Sequence, residues 1–127
     1  QDESVNFDTT ENIFIEGDPF LLQMILNNLL ENAVKYAPKH LPIHVTLAKN
    51  TNKVCLTIAD LGPGIADNEK KNIFDKFYRS GSENTRKAQG TGLGLYLCKK
   101  IVETHNGYIS VTDNQPNGSI FKVSFKL

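Results

Sequence analysis

The chain has 127 residues, of which 39 % are apolar, 9 % aromatic and 22 % charged, and fourteen Lys and Arg balance fourteen Asp and Glu. That length suits one domain, 1–127, and zero net charge excludes the bulk basicity of a domain living on nucleic-acid phosphates or anionic lipid. The richest apolar run, Phe20–Leu30, is broken by Gln23 and Asn27–Asn28 and falls short of a membrane span, and no leader pattern opens the chain, so a soluble domain is expected.

Val5 and Phe7, then Ile13 and Ile15, alternate as two short strands do. Gly17-Asp18-Pro19 gives a helix start, with Asp18 as N-cap and Pro19 at the first helical position. The helix is predicted to run from Pro19 to Tyr36, stopped by Pro38. Ile43–Lys49 and Val54–Ala59 read as a hairpin turning at Asn50-Thr51-Asn52-Lys53. A Gly/Pro turn follows Asp60, then a short helix near Asp67–Phe74. Ser80–Gln89 has Ala88 as its only aliphatic residue, so it is expected to be a mobile loop. A further helix from about Thr91 to Thr104 would stack Leu93, Leu97 and Ile101, with Cys98 and Val102 beside them, and end at Asn106-Gly107. Tyr108–Thr112 and Ser119–Phe125 close the chain as a hairpin turning at Asn114–Gly118. The order β-β-α-β-β-α-α-β-β suggests an α+β or α/β sandwich, a sheet covered on one face by helices.

Four places depart from simple core-making. On the long helix, at about 100° per residue, Leu22, Leu26, Leu29, Leu30 and Ala33 gather on one side, while Asn28, Asn32 and Lys35 fall opposite. Those three make either a solvated face or an oxygen-donor face, in which an amide carbonyl meets a Mg²⁺ already carrying phosphates and a lysine neutralises them. Asparagine is a mediocre helix former, yet Asn27, Asn28 and Asn32 crowd one stretch. Asp60-Leu61-Gly62-Pro63-Gly64 is a strand end and glycine turn; it is either a plain turn or a carboxylate placed to accept from an exocyclic amine such as adenine's. Asp60-Leu61-Gly62 also looks like the Asp-Phe-Gly motif of protein kinases, but no His-Arg-Asp loop or Val-Ala-Ile-Lys strand accompanies it.

Gly90-Thr91-Gly92-Leu93-Gly94-Leu95 joins a polar loop to a helix N-terminus, where exposed N–H groups and the helix dipole suit an anion. It lacks the Gly-Lys-Ser/Thr of a Walker loop and the spacing of a Rossmann fingerprint. Phe74-Asp75-Lys76-Phe77-Tyr78-Arg79 reads as an aromatic anchor for the loop, with Arg79 free to reach a phosphate or a partner. Cys55 and Cys98 have no Cys-x-x-Cys spacing and are expected as two buried free thiols. His40, His44 and His105 lack nucleophile or metal-ligand spacing and are expected at the surface or at edges.

In this order, Asn28–Tyr36, Asp60–Ile65, Phe74–Arg79 and Gly90–Leu95 resemble the N, G1, F and G2 boxes of sensor histidine kinases. The resemblance covers nearly the whole chain and is to that family's catalytic and ATP-binding domain, within the superfamily of gyrase, heat-shock-90 chaperones and mismatch-repair ATPases. It implies the Bergerat fold, an α/β two-layer sandwich with a mixed, largely antiparallel sheet covered on one face by about three helices, and ATP and Mg²⁺ as cofactors under a flexible lid at about residues 66–89. It implies Asn32 as the metal ligand, Asn28 as a second polar contact, Lys35 for phosphate charge and Tyr36 beside the nucleotide. Asp60 would read the adenine amine, with Gly62, Gly64 and Ile65 shaping the pocket. Phe77 and Arg79 would flank the nucleotide, Gly90, Thr91, Gly92, Leu93 and Gly94 would receive phosphates, and Ser119 would reach adenine through water. Leu61 departs from the asparagine common after the G1 aspartate and should tune the pocket.

ATP-hydrolysing relatives carry a glutamate four residues before the metal asparagine; here that position is Asn28, which cannot act as a base. Glu31 lies about 100° round the helix from Asn32, a poor substitute in direction. The resemblance therefore implies a protein-histidine kinase domain that presents the γ-phosphoryl group to an external nucleophile. None of the three histidines has the family's acceptor setting, so the acceptor and dimerisation helices are expected upstream in a longer protein, with little turnover by the fragment. The expected partners are those helices and, through the full kinase, a response-regulator receiver domain, with no nucleic acid and no membrane contact by this domain. The expected location is cytoplasmic, including the cytoplasmic part of an inner-membrane sensor. The alternatives are an ATPase or ATP-gated switch of the same fold, a serine-directed kinase of that fold, or an interaction module that has lost ATP.

Overall fold

A computed structural model describes residues 5–9, 19–38, 41–76 and 93–126. Five strands form one sheet: β1 (Val5–Thr9), β2 (Ile43–Lys49), β3 (Lys53–Ala59), β4 (Gly107–Asp113) and β5 (Ser119–Lys126). Their spatial order is β1-β2-β3-β5-β4; β1 runs parallel to β2 and every other pair is antiparallel. Two helices are present among the described residues, α1 (Pro19–Tyr36) and α2 (Gly94–Thr104).

The register explains the layering. Val45 faces Ile58, Ile58 faces Phe121 and Phe121 faces Val111, while Leu56, Val123 and Ile109 form the next row. Because side chains alternate along a strand, these rows share one face. They form one core with Ile25, Leu29 and Ala33 of α1 and Cys98, Ile101 and Val102 of α2. The opposite face carries Thr57, Lys122 and Ser110 in register, beside exposed His44 and Tyr108. Pro19 and Pro38 bracket α1, which has the predicted bounds. The strand expected around Ile13–Ile15 and the Asp18 cap lie outside the described residues.

Three expectations are corrected. Residues 67–74 form successive turns, not a helix: Glu69 N–H donates to Ala66 O (2.9 Å) and Asn72 N–H to Glu69 O (2.9 Å), and Ile73 N–H makes the one helical i→i+4 bond, also to Glu69 O (3.1 Å). Its two buried side chains, Ile73 and Phe74, are adjacent and not one turn apart, and so short a segment does not repay helix nucleation. Phe74 instead meets Phe121 edge to face, with centroids 6.1 Å apart. In α2 the buried seam runs through Cys98, Ile101 and Val102 with Leu95 packed against it, leaving Leu97 40 % exposed. The helix is assigned from Gly94, with Leu93 as N-cap, while Thr91 and Gly92 lie outside the described residues. Lastly, Cys98 is buried but Cys55 is only half-buried, since Val54 and Leu56 on either side of it take the core positions; both thiols are free.

Candidate functional site

The core seam of α1 is Ile25, Leu29 and Ala33, exposed by 2, 1 and 1 %. Leu22, Leu26 and Leu30 only flank it. Ile25 and Ala33 rotate the buried face toward the asparagines, so Asn28 and Asn32 border the core half-buried and do not lie opposite it; Lys35 is exposed. Asn28 meets α2, because a Cβ at Gly94 would find Asn28 Oδ1 as its nearest neighbour, at 3.9 Å. Burial pushes the nearby Cys98 thiol up to about 12, with the Asn28 side chain opposing the rise. The same thiol lies 3.7 Å from Ile25 O.

Asp60 is 4 % exposed at the end of β3. Its N–H donates to Ser119 O (2.9 Å), and Gly62 N–H donates to Asp60 Oδ1 (2.8 Å). Burial raises the carboxyl pKa, opposed by the backbone donors Gly62 and Ser119. Ser119 is buried beside it. Tyr36, half-buried at the end of α1, has its phenol pKa raised by burial. A Cβ at Gly62 would approach Tyr36 O to 2.7 Å, so α1 closes directly on the Asp60 loop and only glycine fits between them. Gly64 takes φ 82, and Ile65 packs against the core.

The middle of α1 thus meets the start of α2, while its end meets the Asp60 loop. Asn28, Asn32, Tyr36, Asp60, Gly62, Gly64, Ile65, Leu93, Gly94 and Ser119 lie on this connected set of elements. Phe77, Arg79, Gly90, Thr91 and Gly92 lie outside the described residues, as does His40. A groove of about 580 Å³ runs along the other flank of α1; its described lining is Asn27, Leu30, Glu31, Val34 and Lys35, so among the described residues it shares Lys35 alone with the predicted set.

Sequence reasoning missed what holds the Asp60 loop from below. Asn114 Nδ2 donates to Asp60 O (2.8 Å), and Asn117 Nδ2 donates to Leu61 O (3.1 Å) and Gly62 O (2.7 Å). Gly118 takes φ 113, and a Cβ there would fall 2.0 Å from Asp60 O. Lys70 Nζ ties Ile65 O (3.0 Å) to Asp113 (2.9 Å) and Asp67. The only sequence signal was an asparagine-rich hairpin turn, which reads equally well as plain turn chemistry.

The described residues hold no cluster of three or more His, Cys, Asp or Glu side chains able to grip a metal on their own. A magnesium ion brought by a nucleotide draws most of its ligands from phosphates and water and would need only a neutral oxygen donor here, and Asn32 is half-buried at the edge of the core.

Residues 17–127 match the family described as histidine kinase-, DNA gyrase B-, and HSP90-like ATPase, and the chain belongs to that family. It is homologous to the catalytic domains of several bacterial sensor histidine kinases, and its sheet and helices are their Bergerat fold. Sensor protein CiaH of Streptococcus pneumoniae is 39 % identical over 110 residues, covering 87 % of this chain and 25 % of that protein. The mycobacterial sensor histidine kinase MprB superposes with a TM-score of 0.86 at 30 % identity, covering 98 % of this chain and 82 % of that one. Histidine kinase ThkA, solved in complex with the response regulator protein TrrA, gives a TM-score of 0.77 at 27 % identity over 96 % of this chain and 34 % of that one. The chain spans 25 % of the length of the curated sensor proteins CiaH and BaeS and 17 % of SrrB.

Proposed function

We propose that this chain binds Mg-ATP between α1, the Asp60 loop and the start of α2, and presents the γ-phosphoryl group to a histidine on dimerisation helices elsewhere in a longer sensor kinase. The observation that carries the reading is the Asp60 carboxylate, buried and bonded by Gly62 N–H at 2.8 Å where α1 closes on its loop. A carboxylate held there accepts from an exocyclic amine and discriminates adenine from a base that offers a carbonyl.

In this reading Tyr36 and Ile65 pack on the base, and Ser119 reaches it through water. Lys35 offsets phosphate charge, and the backbone of Gly90–Gly94 with the N-terminus of α2 receives the phosphates. Phe77 and Arg79 would contribute contacts to the nucleotide as part of the lid proposed at about residues 66–89. Asn32 would hold magnesium with Asn28 beside it, and the ion, when bound, would supply charge neutralisation at the phosphates. His44, exposed on the opposite sheet face, and His105, whose Nδ1 lies 2.9 Å from Ile101 O, are both outside the site, which favours an acceptor beyond this domain.

The Asn28 amide has no basic lone pair with which to activate water, and this favours phosphotransfer over the ATPase or ATP-gated switch. Serine-directed relatives resemble the ATPases at that position, so Asn28 favours a histidine acceptor over serine as well. A response-regulator receiver would then meet the full kinase, as the ThkA–TrrA pairing suggests by analogy. No described helix is long and apolar enough to cross a membrane, and we place the domain on the cytoplasmic side of its parent.

The test is calorimetric titration with a non-hydrolysable ATP analogue, with and without Mg²⁺, beside a phosphate-release assay with ATP. Asp60→Asn removes a charged acceptor and is expected to weaken binding about 10- to 100-fold. Asn32→Ala is expected to remove the magnesium-dependent part of the affinity. A folded chain that binds no adenine nucleotide refutes the reading, and rapid phosphate release by the unaltered chain hands it to the ATPase.

A further inference from the structure

One peptide group stands between the adenine-reading carboxylate and the far hairpin. The Leu61–Gly62 peptide donates its N–H to Asp60 Oδ1 at 2.8 Å, while its own carbonyl, Leu61 O, accepts from Asn117 Nδ2 at 3.1 Å. The same Asn117 amide donates to the next carbonyl, Gly62 O, at 2.7 Å. A peptide plane bonded at both ends cannot rotate without breaking one bond, and each bond polarises the group to strengthen the other. Asn117 is itself exposed and contributes nothing to the core. Its main-chain neighbour Gly118 is seated against Asp60 so closely that no side chain fits there. The turn therefore meets the loop at a fixed distance, with the amide as its polar contact.

We infer that Asn117 is a positioning residue for base recognition: by holding the Leu61–Gly62 peptide it fixes the direction of the Asp60 carboxylate, and so sets the preference for adenine over a 6-oxo purine. This rests on the ATP-binding reading above and adds to it a residue that touches no nucleotide. Asn114, which donates to Asp60 O at 2.8 Å, holds the backbone of the same residue from the same turn.

The experiment compares ATP with inosine triphosphate, whose base carries oxygen where adenine carries the amine, by titration against the chain and two variants. Asn117→Ala removes the donor, and Asn117→Asp keeps the shape while turning an acceptor toward two carbonyl oxygens. Each is expected to weaken ATP binding about tenfold and inosine triphosphate binding less than twofold. In an Asp60→Asn background, Asn117→Ala should change ATP affinity less than twofold, since the group it positions is gone. Equal losses for both nucleotides, or an unchanged ATP affinity in a variant with an unchanged thermal midpoint, overturn the inference and leave Asn117 a turn residue. If the unaltered chain binds ATP but does not prefer it to inosine triphosphate, base reading by Asp60 fails and the inference falls with it. If the unaltered chain prefers ATP and the Asn117 variants keep that preference, only the positioning role fails.

Discussion

Alanine in place of glycine at two positions of the site should have opposite effects. At Gly62 the added Cβ would lie 2.7 Å from Tyr36 O and 3.0 Å from Asp60 Oδ1. The first neighbour is backbone at the end of a helix and cannot swing aside. Recovering ordinary contact at 3.4 Å requires α1 and the Asp60 loop to part by about 0.7 Å, which also strains the bonds that Asn117 makes to this loop. Overpacking of this kind costs about 1–3 kcal/mol. For a chain of this size that lowers the thermal midpoint by roughly 4–12 °C. At Gly94 the nearest atom is Asn28 Oδ1 at 3.9 Å, an ordinary contact, and alanine favours a helix by up to about 1 kcal/mol. Gly94→Ala should therefore hold or raise the midpoint. Thermal unfolding followed by circular dichroism decides the pair, with ATP titration of Gly62→Ala expected to show at least a tenfold loss. A Gly62→Ala chain with an unchanged midpoint and unchanged ATP affinity would refute the claim that this close approach holds the site together.

Burial raises the Asp60 pKa, so between its ordinary value and the raised one the native state binds more protons than the unfolded state, and stability falls as pH rises through that window. Asp60→Asn keeps an oxygen for Gly62 N–H but has no charge to bury; its midpoint should exceed the parent's at pH 7 and converge on it in acid, and a gap that ignores pH would contradict this. Cys98, buried and pushed up to about 12, should resist alkylation in the native chain at pH 7.5 while half-buried Cys55 labels; mass spectrometry showing equal rates would refute the packing of α2 on α1. Leu29→Ala should cost about 2.7–5 kcal/mol and exposed Leu97→Ala less than about 1, read from denaturant midpoints, and reversed costs would put the seam of α2 where the sequence had it. Asn28→Glu places a base at the edge of the site and should raise ATP hydrolysis at least tenfold; no rise would show that the missing carboxylate is not what suppresses it.

Legibility from the sequence tracked how local each cause is. Proline on both sides marks α1, and turn residues mark both hairpins, so those elements appear at or within a residue of their expected limits. Residues 67–74 failed because adjacent Ile73 and Phe74 satisfy neither helical nor strand periodicity, and only Phe121, far along the chain, decides how Phe74 is buried. The rotation of α2 failed for a related reason: leucines at 93 and 97 advertise a ridge, but the buried thiol of Cys98 lies 3.7 Å from Ile25 O where the helices cross, and a leucine there would not fit so closely. Asn114 and Asn117 were illegible because their acceptors are main-chain carbonyls of a distant loop, and carbonyls leave no mark in a sequence.

The site lies where the fold's two requirements conflict. α1 buries one face on the sheet, and under the proposed function a nucleotide needs polar groups close to that face, where Asn28 and Asn32 border the seam at half burial. A neutral amide tolerates that position because it both donates and accepts and carries no charge to desolvate. A carboxylate at the same depth would be desolvated, and only a nearby cation or the N-terminus of α2 would offset the cost. Asn28 avoids that cost and, under the proposed function, would supply no base for water at that position. Under the proposed function, phosphotransfer without hydrolysis and uncharged packing of α1 beside α2 would both follow from one side chain, an asparagine where helix propensity alone favours leucine or alanine.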